Sequence, residues 1–182
     1  LVEGRWWRRL ADISGNFGQY ARVVDEATRA MQCLGAPFPT ERRGWLRRLF
    51  NSAATQLWQR VVSRAAKDDA FGAEMALACV RAGEGFYFVR GDFMASLACF
   101  LDAVNLGERA GVAGHIANGW GIVGTALLAA GMKRAGRYYL DRGLREVRAV
   151  GDERQLAYAQ YHVGACAVMA GDWDAAERAL DE

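Results

Sequence analysis

The sequence predicts an all-α fold of antiparallel helical hairpins, each about forty residues long, and three observations carry that expectation. The first is a ruler of glycines at twenty-residue intervals: Gly91, Gly111, Gly131, Gly151 and Gly171. Glycine accepts the left-handed backbone that ends a helix, so such a ruler marks helices that stop at a fixed length and turn back. The second is a comb of residue types at forty-residue offsets. Phe93, Lys133 and Trp173 begin it, followed by small Ser96, Gly136 and Ala176, then Phe100, Leu140 and Leu180, then Ala103 and Gly143. The third is composition: 52% of residues are hydrophobic, the only two prolines are Pro37 and Pro39, and no stretch alternates apolar and polar residues as a half-buried strand would.

Nine helices follow from this pattern, near 2–13, 17–33, 40–66, 70–90, 92–109, 112–130, 133–150, 153–170 and 173–182. The first two belong to a shortened repeat over 1–36, in which Gly15, Phe17, Tyr20, Val24 and Ala27 echo the comb and Gly35 follows Gly15 by twenty residues. The segment 37–69 breaks the rhythm and reads as one long basic helix. Thr40 is placed to cap it, and Leu46, Phe50, Ala53, Leu57 and Val61 form an apolar stripe that a helix would bury. Three hairpins complete the chain, over 70–111, 112–151 and 152–182. Asp92, Asp152 and Asp172 each follow a ruler glycine and are placed to cap the next helix, with Gln155 at capping-box distance from Asp152. In the 112–151 hairpin, Trp120, Val123, Gly124 and Leu127 lie on one helical stripe, and Trp120, Leu127, Phe100 and Leu140 are expected in the core. The absence of an initiator methionine and the short last helix suggest a piece of a larger protein.

The pattern of Trp120, Val123, Gly124, Leu127, Gly131, Lys133 and Gly136 resembles the tetratricopeptide repeat. That resemblance implies a right-handed superhelical solenoid, in which small columns let paired helices approach and large columns fill the gaps. The run from Glu84 through Phe93, then Ala95–Leu97 and Asn105–Gly111, narrows it further, as does Ala30–Pro39 followed by an arginine-rich helix. Together these resemble the tetratricopeptide region of bacterial predicted ATPases of the signal-transduction type. There an AAA-like nucleotide-binding module is often fused to an adenylate/guanylate cyclase or protein kinase domain. The superhelical domain of maltose-regulator-type transcription activators is the nearest alternative. What the resemblance implies is a protein-interaction scaffold coupling partner or domain binding to an effector, with ATP bound elsewhere in the parent. A free-standing adaptor is the competing reading.

Several motifs point elsewhere and are better absorbed by the repeat. Gly119, Gly121 and Gly124 match G-x-G-x-x-G, but that fingerprint needs a preceding strand and a helix opening on it. No G-x-x-x-x-G-K-[ST] occurs, so no nucleotide or other cofactor is expected in this segment. The uncharged stretch from Gly111 to Met132 is long enough to span a bilayer, yet it holds six glycines and breaks at Gly131, so a packed helix is expected and a membrane partner is not. Cys33, Cys79, Cys99 and Cys166 lack any C-x-x-C spacing and are expected reduced and buried, which suits the cytoplasm. His115 and His162 have no ligand at metal spacing, and no nucleophile–base or paired-carboxylate constellation marks the chain as an enzyme.

Charge is uneven: residues 1–67 carry twelve Lys/Arg against five Asp/Glu, net +7, and the remainder is net −5. Arg42, Arg43, Arg47 and Arg48 cluster on the long helix without interleaved exposed aromatics, which disfavours nucleic acid and leaves solvated, interdomain or self-association roles. The tetratricopeptide resemblance assigns groove-facing positions to Arg81, Phe88, Asn118, Thr125, Tyr158 and Tyr161. A Lys/Asn clamp for C-terminal carboxylates is missing at the corresponding pairs, Arg81/Gly85, Gly121/Thr125 and Tyr161/Ala165. Such a groove would suit a helix or a neighbouring domain better than an acidic tail.

Overall fold

A computed structural model describes residues 1–62 and 69–181. Among the described residues there are nine α-helices, one 3-10 turn and no strand. In order they are α1 (Val2–Asn16), α2 (Tyr20–Cys33), α3 (Arg42–Val61), α4 (Ala70–Arg90), α5 (Phe93–Ala110), the 3-10 turn Ala113–His115, α6 (Ala117–Ala129), α7 (Lys133–Val150), α8 (Glu153–Ala170) and α9 (Trp173–Asp181). They form two compact units, Leu1–Val112 and Ala113–Glu182. In the first, α1 pairs with α2 and α4 with α5, while α2 and α1 pack on α4 and α3 packs on α5. In the second, α6 pairs with α7 and α8 with α9, and α8 lies against both α6 and α7.

The glycine ruler marks helix ends, as expected. Gly91, Gly111, Gly131, Gly151 and Gly171 all have positive φ, between 58° and 78°. The aspartates start the next helices: Asp92 accepts from the Ala95 N–H at 3.0 Å, Asp152 from Gln155 at 3.1 Å and Asp172 from Ala175 at 3.0 Å. Only half of the capping box forms. The Gln155 side chain leaves Asp152 and instead accepts from the Ala117 N–H at 3.0 Å, covering the open start of α6 from the neighbouring helix.

Helix α2 begins at Tyr20 rather than near residue 17, and four further boundaries also differ from expectation. Helix α1 continues through Gly15 to Asn16 and stops before Gly18, the positive-φ residue; Gly15 sits mid-packing, where a Cβ would lie 3.4 Å from the Arg81 guanidinium. Helix α3 begins after Glu41 with no side-chain cap, because the chain through Thr40 is carried over the first turn, where Pro39 presses on Gly44. Its expected continuation to residue 66 runs outside the described residues beyond Val62, whose backbone is extended. The expected helix over 112–130 is split: Ala113–His115 form the 3-10 turn, pinned where the Trp120 indole donates to the Ala113 carbonyl at 3.0 Å. There a Cβ on Gly114 would meet the Glu146 carbonyl at 2.7 Å, so the turn lies too close to α7 for any larger residue.

Where helices pair, large residues lie on glycines. Phe100 covers Gly83, Leu140 covers Gly124 and Leu180 covers Gly164, with nearest approaches of 2.8 to 2.9 Å to where a Cβ would be. The three large residues are forty apart in sequence, and each lies on the helix preceding its own. The second unit adds the reverse contact, Trp120 against Gly143. Trp120 (1% exposed), Phe100 and Leu140 are buried as expected, whereas Leu127 is only half-buried.

Two stability changes test this packing. Trp120→Ala removes the largest fully buried side chain and is expected to cost ~3–5 kcal/mol in urea unfolding. Gly151→Val should cost ~1–3 kcal/mol through backbone strain alone, since no atom lies near its missing Cβ. A neutral Gly151→Val would show that the helix end accepts an ordinary conformation.

Candidate interaction surfaces

The groove positions expected from the resemblance divide between the two units, and their side chains do different things. In the first unit, Arg81 is built into a ladder of alternating charge between α1 and α4. Glu74 accepts from Arg5 at 2.8 Å and from Arg8 at 2.6 Å, Arg8 pairs with Asp12, and Arg81 joins Asp12 at 2.7 Å to Glu84 at 2.8 Å. Burial works against the Arg81 charge, but Glu84 and Asp12 outweigh it and hold the guanidinium above its ordinary pKa. With its side chain 12% exposed, Arg81 binds α1 to α4 and offers little to a partner.

Phe88 is different: it is 60% exposed and belongs to an open aromatic cluster. Tyr20 lies against it with ring centroids 4.6 Å apart, Tyr87 meets it edge-on at 5.0 Å, and Phe93 meets Tyr87 at 5.2 Å. Consecutive Tyr87, Phe88 and Val89 all face solvent at the end of α4, because the turn at Gly91 comes before any further helix could cover them.

In the second unit, Asn118 and Thr125 point into the α6–α8 interface. Asn118 Oδ1 is 3.2 Å from His162 Nε2, and the Thr125 hydroxyl donates to the Gly121 carbonyl at 2.8 Å and lies 3.3 Å from Cys166 Sγ. Gly121 makes room for His162, since a Cβ there would run into the imidazole. Burial pushes the His162 pKa down to about 4, so the ring is neutral. Tyr158 and Tyr161 are exposed on α8, with Tyr161 set edge-on to His162 at 5.4 Å. The aromatic half of the expected surface thus faces solvent, and the polar half is packing.

Helix α3 departs furthest from expectation, because the face that packs is its polar one. Arg48 donates to Asp102 of α5 at 2.5 Å and Ser52 to the same carboxylate; Gln56 donates to Asn105 at 2.7 Å, and Arg60 pairs with Glu108. Asn105 in turn donates to the Ser52 carbonyl at 2.9 Å. At the start of α3, Trp45, Phe38 and Phe86 form a buried aromatic triangle with centroids 5.2 to 5.7 Å apart, and Arg48 lies over Phe38. With that face committed, the expected core stripe turns outward: Leu46, Phe50, Leu57 and Val61 are all exposed, Phe50 at 72% and Val61 at 80%. Arg48 is correspondingly an internal ion-pair partner, while Arg42, Arg43 and Arg47 remain on the surface.

Sequence reasoning missed this ladder because it ranked apolar spacing above polar spacing. The signal was present: Arg48, Ser52 and Gln56 recur every four residues on one helix, and Asp102, Asn105 and Glu108 every three on another. Of the cysteines, Cys79, Cys99 and Cys166 are buried, and burial raises the Cys79 and Cys99 thiol pKa values. Cys33 is exposed instead, because it is the last residue of α2 and falls on its open side. Among the described residues, no helix is long and apolar enough to cross a membrane. Compared with protein-family models, curated proteins and solved structures, the chain matches none.

The neutral His162 gives a pH prediction. Its folded pKa of about 4 lies below the ordinary value of 6.5, so the unfolded chain binds the proton first and stability falls as pH drops. This contribution is intact above pH 6.5, declines between there and pH 4, and amounts to about 3 kcal/mol when fully lost. Urea midpoints at pH 7.5 and 4.5 measure it, and the slope should be reduced in His162→Gln. An NMR titration placing the imidazole near pH 6.5 in the folded chain would contradict it.

Proposed function

We propose that this chain is a protein-binding scaffold of the tetratricopeptide type, acting as the regulatory part of a larger signalling ATPase. On this reading its hairpins are repeat units, and their surfaces hold a partner protein or a neighbouring domain of the same polypeptide. Binding biases an attached effector such as a nucleotidyl cyclase or kinase. The observation that carries the binding role is the solvent-facing aromatic cluster of Tyr20, Tyr87, Phe88 and Phe93 on well-packed helices. Rings held in place by their helices lose little conformational freedom on binding, and aromatic side chains dominate interface energetics. Tyr158 and Tyr161 supply a second aromatic site in the other unit. The link to a signalling ATPase rests on the resemblance of the segments around Glu84–Phe93 and Ala30–Pro39, and the cytoplasmic setting on the scattered reduced thiols.

For regulation, the bound partner must favour one state of the effector over the other in free energy. A photo-reactive phenylalanine analogue placed at position 88 or 161 of the full-length protein tests the binding role in cells. Discrete adducts, weakened when Tyr87 and Phe93, or Tyr158, are changed to alanine, are expected; a control probe at Arg137 should give none. Indistinguishable labelling at all three positions would contradict the reading.

A further inference from the structure

Helix α3 carries a surface that the aromatic clusters do not account for. Its outward stripe of Leu46, Phe50, Leu57 and Val61 spans residues 46–61, a rise of about 22 Å along the helix, with Trp58 exposed beside it. The helix contains no Asp or Glu. Two of its arginines, Arg48 and Arg60, are consumed by Asp102 and Glu108 on the packed side. The other three, Arg42, Arg43 and Arg47, are exposed, gathered at the N-terminal end around the start of the stripe, and have no carboxylate partner among the described residues.

We propose that the outward face of α3 is a docking site for an amphipathic helix of a partner protein, one with an apolar stripe four turns long and acidic residues at one end. The apolar stripe gives the partner helix its register, in the manner of helix-in-groove recognition. The three unanswered arginines set its orientation, because only a carboxylate-bearing end complements them. A second copy of this chain fits less well. Parallel pairing would set arginine on arginine, and antiparallel pairing would set the arginines against a helix that carries no Asp or Glu to answer them. An anionic lipid surface would call for cations along the whole helix, whereas the exposed ones occupy only its first two turns. The polar ladder beneath explains how an apolar face stays outward: Asp102, Asn105 and Glu108 hold the opposite face by directional bonds that a rolled helix would lose.

The inference rests on the scaffold reading but uses a different surface, so the two can fail separately. The probe is a displayed library of 18-residue helical peptides with a fixed leucine stripe and randomised flanks, selected on the 182-residue chain. Selection should enrich Asp and Glu at one end of the peptide. Phe50→Glu and Leu57→Glu, both at exposed positions, should weaken a selected peptide at least tenfold while leaving the circular dichroism unchanged. The double change Arg43→Glu and Arg47→Glu should redirect selection toward basic flanks, which loss of folding could not do. No enrichment, enrichment without charge preference, or binding insensitive to Phe50→Glu would overturn the proposal. So would Phe50-dependent binding to phosphatidylglycerol vesicles, or Phe50-dependent dimerisation in sedimentation, in place of peptide binding. Persistence of the photo-adducts at Phe88 and Tyr161 in Phe50→Glu would show that such a failure belongs to α3 alone.

Discussion

The structure depends on how closely paired helices can approach. Three hairpins meet where a large side chain of one helix lies on a glycine of the other: Phe100 on Gly83, Leu140 on Gly124 and Leu180 on Gly164. A Cβ at any of these glycines would come within 3 Å of its neighbour, closer than packed atoms tolerate. Glycine in mid-helix carries a helix-forming penalty of about 1 kcal/mol relative to alanine. In the first two of these hairpins that cost is offset by burial of the Phe100 ring and the Leu140 isobutyl group, while Leu180 in the last stays largely exposed. The ruler glycines do a different job. They set helix length, so the large residue arrives at the same height on each hairpin.

Around this apolar framework, polar contacts decide which faces remain open. The Arg5–Glu74–Arg8–Asp12–Arg81–Glu84 ladder ties α1 to α4, and the Asp102–Asn105–Glu108 row ties α3 to α5. Buried ion pairs contribute little net stability compared with apolar packing, but they punish misalignment, since one unpaired charge is expensive. In α3 that selectivity is visible, because the polar face packs and the apolar face looks outward. The chain therefore uses charge to orient helices and keeps its apolar stripe and aromatic rings available at the surface.

Much of the fold was legible from residue spacing. Glycine at fixed intervals, with Asp92, Asp152 and Asp172 behind it, located five helix ends and three helix starts, because local backbone chemistry alone sets those features. Gly15 was misread because a glycine serving close approach looks the same in sequence as one serving a turn; its neighbours, Val23 and the distant Arg81, are what distinguish them. The inward direction of Asn118 and Thr125 was hidden for a similar reason, as it depends on His162 and Cys166 on another helix. For α3 the apolar periodicity was real but its direction was not encoded within the helix. That direction is set by Asp102, Asn105 and Glu108, about fifty residues later.

A double-mutant cycle on Gly83 and Phe100 tests most directly whether glycine columns set helix approach. The three atoms nearest the missing Cβ of Gly83 all belong to the Phe100 ring, at 2.9 to 3.1 Å, so the ring is the first thing an added methyl would meet. With Phe100 present, Gly83→Ala is expected to destabilise the chain by ~1–3 kcal/mol through overpacking. With Phe100→Val, the same change should become neutral or stabilising, because the ring is gone and alanine's helix propensity is realised. A non-additive coupling of ~1–3 kcal/mol between the two sites supports the account. Additive effects, with Gly83→Ala equally tolerated in both backgrounds, would contradict it.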